Sequence, residues 1–278
     1  MWRLLQLLAR AARRVFLHGL TQAQAVSFNM FLAFFPMMLL ALGVLGQLAL
    51  VGGAAEEMLE RLRWLLPPGS RRIVLDSLVE QAASPAWLLL GLGGTLFLGT
   101  EVMTGLVNGF RILYGDSNGD HFLKRQMRSL ALLLVTIGPF LAAVVLTVFG
   151  KQVRNWMAVY FGLPQFFDRL WAVVYVGLAL VLTLLVLTLV FRVGCRRSKD
   201  WNAVLPGAAV ATLLWWIVNT AFGAYVRRMP YGKFYGELGA AIGLIIWMYL
   251  SVLIVFLGAA FNAESASAQE AKSPLPPD

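Results

Sequence analysis

Glu101 is the residue whose position most asks for an explanation. It follows a charge-free run, Gln81–Thr100, and stands ten residues before Arg111, about 15 Å along a helical axis. Gly94, Glu101, Thr104, Gly105 and Asn108 fall at helical spacing and make one stripe of small and polar side chains. A charge near the middle of a bilayer costs roughly 2.5–3.5 kcal/mol on the most lenient insertion scale, so it must be protonated, paired or in water. Two chemistries suit such a carboxyl. One is a titrating, substrate-responsive group in a cavity; the other is a neutral carboxyl hydrogen-bonded within a bundle. Gly105 and Asn108 would let a second helix approach and exchange hydrogen bonds.

Other candidates are scattered. Asn29 and Asn219 also lie within apolar runs. The segment Met229-Pro230-Tyr231-Gly232-Lys233-Phe234-Tyr235-Gly236-Glu237 combines aromatics, glycines and a Lys/Glu pair four residues apart. It suits an interfacial or re-entrant stretch, with helix packing and a substrate-facing lip as alternative roles for Tyr231, Tyr235 and Glu237. Gly232-xxx-Gly236 and Gly239-xxx-Gly243 are close-approach spacings. Enzyme chemistry has little to stand on. His18 and His121 are the only histidines, and Asp116, Asp120 and His121 fall in a segment whose Asp-Ser-Asn-Gly-Asp reads as turns before it reads as ligands. A metal-dependent nuclease needs clustered carboxylates or histidines. No phosphate-binding glycine loop, nucleophile elbow or zinc spacing is present. We therefore expect no catalytic residue, metal or cofactor.

The elements that must position these residues are set by charge-free runs. Gly19–Ala55, Gln81–Thr100, Ser129–Gly150, Leu170–Phe191, Trp201–Val226 and Leu238–Ala263 each reach the roughly 20 residues that cross a hydrocarbon core. Continuous apolar runs of that length exclude alternating barrel strands. The chain is 59% hydrophobic and 13% charged, about half the charged share of a soluble domain. The expected fold is an all-α polytopic membrane bundle of six transmembrane helices, forming one domain over residues 1–264. The net charge of +9 then reads as headgroup contact and orientation signals, because no folded domain presents a basic face to nucleic acid.

Residues 1–20 space Arg3, Gln6, Arg10 and Arg13 helically, with Leu5, Leu8, Ala12 and Phe16 on other faces. That is a basic amphipathic helix lying on an anionic leaflet. Lys and Arg divide thirteen against ten if both termini are cytosolic, and the crowding of Arg192, Arg196, Arg197 and Lys199 in one short loop favours that orientation. Cys195, the single cysteine, then falls in a cytosolic loop as a reduced structural thiol. Pro36 kinks the first span as a packing bend or a hinge. Leu65-Leu66-Pro67-Pro68-Gly69 divides the outer loop into two short amphipathic helices. Ser84-Pro85 opens the second span as N-cap and first helical residue. Residues 265–278 read as a disordered tail.

Taken together these marks resemble the YihY/BrkB family of bacterial inner-membrane proteins, long mislabelled as ribonuclease BN. Ala25–Leu40 ends in Phe-Phe-Pro, like the family's first-helix segment. Leu106-Val107-Asn108 with Phe110-Arg111 is similar to its exit from the second helix, and Thr136 through Pro139 to Leu141 to its third-helix Gly-Pro motif. Asp200-Trp201 through Gly207-Ala208 resembles the start of its fifth helix. Tyr231 and Tyr235-Gly236 through Trp247-x-Tyr249 to Leu257-Gly258-Ala259 is the most specific likeness. The match covers residues 20 to 264. Where the family places a Glu after Leu-Gly-Ala this chain has Ala260, and Ala33 replaces a serine before the first-helix proline, so neither role carries over. The resemblance implies six membrane helices in the bacterial inner membrane. It also implies an envelope role, with associations to serum resistance and lipid or surface-polymer handling.

Two functions follow. The first is a transporter or flippase-like carrier of an envelope amphiphile, with Glu101, Thr104, Asn108, Asn219, Tyr231, Tyr235 and Glu237 as binding candidates. Pro36, Gly105, Pro139, Gly236, Gly239 and Gly243 are its hinge or packing positions. The second is a non-transporting scaffold that supports envelope integrity through partners. Membrane lipids are the expected partners, nucleic acid is not, and a homo-oligomer is compatible with either.

Overall fold

The structure is a computed structural model that describes residues 2–52, 85–116, 123–138, 160, 164–195, 200–228 and 238–270, and over these it is helical throughout apart from turns. Seven helices are seen: α1 Trp2–His18, α2 Leu20–Gly52, α3 Pro85–Tyr114, α4 at residues 123–138, α5 Pro164–Gly194, α6 Trp201–Arg228 and α7 Leu238–Glu270. Five of the helices contain spans long and apolar enough to cross a membrane: Leu20–Leu40, Ala86–Tyr114, Gly177–Gly194, Trp201–Val226 and Ala241–Ala268. The remaining expected span, Ser129–Gly150, is described only through residue 138, so the described residues give five candidate crossings rather than six. The outer-loop helices, Pro139 and the whole Tyr231–Glu237 segment lie outside the described residues.

Local signals explain the boundaries. Pro85 is the first residue of α3, where a missing N–H costs nothing. Gly115 closes α3 at φ 65°, with Gly115 N donating to Ile112 O at 3.2 Å and Asp116 N to Arg111 O at 3.0 Å. These are the two bonds of a left-handed glycine cap, a conformation disfavoured for any residue with a Cβ. Only Gly19 separates α1 from α2. At the other end, α7 runs on to Glu270. This corrects the expectation of a disordered tail from residue 265, because Ala266, Ala268, Gln269 and Glu270 are strong helix formers.

The chain divides into two compact units. Unit 2 comprises Gln24–Val102 and Phe222–Tyr249. In it α3 approaches α2 at the proline bend: a Cβ on Gly94 would lie 2.7 Å from Pro36 Cβ, and one on Gly91 would lie 2.8 Å from the Leu40 backbone nitrogen. Pro36 is thus the surface against which Gly94 packs. Unit 1 comprises Met1–Ala23, Met103–Ala221 and Leu250–Asp278. Its core joins α3, α5 and α7 through Phe110, whose ring meets Phe191 edge-on at 5.6 Å and Phe256 at 6.0 Å. All three rings are buried. Gly109 and Gly194 make room for them, since a Cβ at either would strike the Phe256 or Phe110 ring.

Candidate functional site

The expected stripe on α3 contains both packed and half-buried positions. Thr104 is buried and shares a 3.0 Å hydrogen bond with Ser129 on α4, which is wholly buried. The Gly105 carbonyl accepts a 3.1 Å bond from Gln22 Nε2 at the start of α2. Both residues therefore hold helices together inside unit 1. Glu101 and Asn108 are half-buried and seven residues apart, so they stack on one side of α3. Their side of the helix is shared with Leu90, Phe97 and Ile112, which are exposed, Phe97 by 70%. At about 100° per residue Thr104 and Gly105 flank the line through Glu101 and Asn108 on its two sides. The edges of the stripe are thus packed, and Glu101 and Asn108 lie along its middle.

Among the described residues no hydrogen bond or ion pair is recorded to the Glu101 carboxylate or the Asn108 amide. Threonines elsewhere in these helices return their hydroxyls to their own backbone, as Thr100 does to Leu96 O at 2.6 Å and Thr188 to Leu184 O at 2.6 Å. Asn219 is half-buried on α6 and engaged. Tyr231, Tyr235, Gly236 and Glu237 cannot be placed, being outside the described residues. Gly239 is buried at the start of α7, and among the described residues nothing lies within 4 Å of a Cβ added at Gly243. The close approach expected there is found one helix pair away, where a Cβ on Gly207 would strike the Gly258 carbonyl and one on Gly258 would lie 2.6 Å from the Gly207 carbonyl.

Sequence reasoning missed the polar residue that unit 1 uses most. Asn262 on α7 is buried, its Oδ1 accepting from Gly207 N at 2.7 Å and its Nδ2 donating to Val204 O at 3.0 Å. Pro206 stands between those two partners. A proline lacks its N–H and its ring crowds the preceding turn, so the backbone around it gains from hydrogen bonds supplied by another helix. Asn262 satisfies one donor and one acceptor with one amide. The readable signal was an asparagine in the last apolar run together with a proline inside a preceding helix; the pairing itself required three dimensions. Two residues further, Glu264 Oε1 lies 2.8 Å from Arg14 Nη1, tying α7 to the N-terminal helix.

Cys195 is buried at the end of α5, and that burial pushes its thiol up to about 12. The expected structural thiol is therefore found, but not as a residue of an open loop. The Tyr114 hydroxyl faces Cys195 and Asn262, yet no hydrogen bond of ordinary geometry reaches it among the described residues.

With this geometry in view, the relatives of the chain can be stated. A family model described as Virulence factor BrkB matches residues 16–278. The chain belongs to the BrkB family. Among curated relatives, Bacillus subtilis (strain 168) has a protein named "Putative ribonuclease-like protein YfkH", 25% identical over 88% of this chain and 89% of that protein. A "UPF0761 membrane protein" of Chromobacterium violaceum is 25% identical over 91% of this chain and 60% of its own length. Another from Janthinobacterium sp. (strain Marseille) is 27% identical over 91% and 58%. The chain therefore spans about three fifths of these two longer relatives. No solved structure matches it. BrkB membership and the apolar helices together make this a multi-pass integral membrane protein.

Proposed function

We propose that this BrkB protein is a carrier, of flippase type, for an envelope amphiphile. The observation that supports the reading is the placement of Glu101 and Asn108 beside Leu90, Phe97 and Ile112 on the outward side of α3. A face that is apolar along most of its length and polar at one level suits a molecule with an apolar tail and a polar head. A scaffold surface has no use for a carboxyl there, since it costs roughly 2.5–3.5 kcal/mol in lipid unless protonated or solvated.

In this reading the chain crosses the bacterial inner membrane six times, and both termini are cytosolic. It is not an enzyme, needs no cofactor and does not engage nucleic acid; its partners are membrane lipids and the carried amphiphile. Glu101 supplies the group whose protonation couples to movement, and Asn108 offers a donor and an acceptor seven residues further. Thr104 and Gly105 set the spacing of α3 against its neighbours, and Gly94 packs α3 on the bend at Pro36.

The test is genetic. Glu101→Gln preserves shape and removes the titrating proton, so the variant should insert and accumulate like the wild type. It should fail to complement whichever envelope defect follows deletion of the gene. Full complementation at matched expression would refute the carrier role of Glu101 and favour the scaffold.

A further inference from the structure

A second group of polar side chains lies at the end of unit 1 where α3 stops and α4 begins. The Thr104–Ser129 bond sets α3 and α4 side by side, so that Arg111 and Tyr114, beyond Thr104, lie toward the same end as Arg128 and Arg125, before Ser129. α1 adds Arg14 to this end. Arg14 Nη2 is 3.8 Å from the Cβ position of Gly115, and Arg14 Nη1 is paired with Glu264. Arg14 acts electrostatically on Tyr114, and Arg128 acts on Cys195 beside it. α1, α3 and α4 thus bring four half-buried guanidiniums, Arg14, Arg111, Arg125 and Arg128, to the end of unit 1 that also carries the carboxylates of Asp116 and Glu264. The C-terminal end of α3 adds only about half a negative charge, which leaves the group positive.

Two donors in this group are buried and without a hydrogen-bond acceptor among the described residues: the Tyr114 hydroxyl and Arg111 Nε. An orphaned buried donor costs roughly 1–3 kcal/mol, and more when it carries charge. A ligand that brings several acceptor oxygens and negative charge removes both penalties together. Guanidinium forks match phosphate geometry better than any other side chain.

We propose that Arg14, Arg111 and Arg128, with the Tyr114 hydroxyl, form a binding site for a phosphate oxyanion, whether carried on a lipid headgroup or free. Glu264 holds Arg14 in position by the 2.8 Å pair, and Asn262 beneath Tyr114 fixes the end of α7 that carries Glu264. The site lies wholly within unit 1 and is independent of the carrier reading, because a scaffold that binds lipid would use it equally.

The test is a titration of the full-length protein in neutral detergent micelles, followed by its unfolding temperature. The probes are phosphatidylglycerol, phosphatidylcholine of the same chain length and inorganic phosphate. Phosphatidylglycerol should raise the midpoint saturably and phosphatidylcholine should not. A matching rise with inorganic phosphate assigns the site to free anions, and a rise with phosphatidylglycerol alone assigns it to headgroups. Arg111→Gln and Tyr114→Phe should each weaken the apparent affinity about tenfold. Arg228→Gln, an exposed charge at the end of α6, should leave it unchanged. Equal stabilisation by both lipids, or loss with Arg228→Gln as large as with Arg111→Gln, would overturn the proposal. If Arg111→Gln does not fold, Tyr114→Phe decides alone, because it deletes one oxygen from an otherwise unchanged ring.

Discussion

Individual residues in this protein act according to what surrounds them, and two of them make this measurable. Asn262 bonds the α6 backbone on both sides of Pro206 with one amide. Replacing it by Leu keeps bulk and removes both bonds, each worth roughly 0.5–1.5 kcal/mol. Asn262→Leu should therefore lower the unfolding midpoint in detergent markedly, and an unchanged midpoint would show that the clamp is idle. Cys195 illustrates the opposite limit. Its thiol, pushed up to about 12 by burial, is almost wholly protonated near neutral pH, and only the thiolate attacks a maleimide. Labelling of the folded protein should be slow from either side of the membrane. It should keep rising with pH through the range near 9 where an ordinary thiol levels off. A plateau near pH 9 would mean an exposed, unperturbed thiol. Topology must accordingly be mapped with cysteines introduced elsewhere, in a Cys195→Ala background.

Among the helices, the close glycine approach in the structure joins Gly207 and Gly258, which share no motif along the chain, while among the described residues nothing lies within 4 Å of a Cβ added at Gly243. Spacing along one helix shows that a smooth face exists but not which partner uses it. Gly243→Ala should change stability by less than about 0.5 kcal/mol. Gly258→Val should prevent the approach of α6 to α7 and deplete folded protein, as read by monodispersity in gel filtration. Equal tolerance of both would contradict the helix pairing. Five of the apolar spans and the start of α3 at Pro85 were legible, because each is decided by local chemistry. The partners of the α3 stripe were hidden, since Ser129 and Gln22 are supplied by other helices.

For the whole molecule, BrkB membership and long apolar helices establish a multi-pass membrane protein. The carrier reading rests on the outward face of α3, where Glu101 and Asn108 interrupt an apolar surface. Orientation follows the basic density near the N-terminus and after α5. A single cysteine introduced at exposed Arg10 in the Cys195→Ala background should react with an impermeant maleimide only after spheroplasts are lysed. Reaction in intact spheroplasts would invert the topology. The central claim, movement of an amphiphile, is tested most directly by reconstitution. Liposomes containing the purified protein and fluorescent phosphatidylglycerol in both leaflets are treated with an impermeant reductant, which bleaches only the outer leaflet unless lipid crosses. Wild-type protein should allow bleaching past the protein-free limit, and Glu101→Gln should return it to that limit. Bleaching by wild type that stops at the protein-free limit, or that is unaffected by Glu101→Gln, would contradict the account.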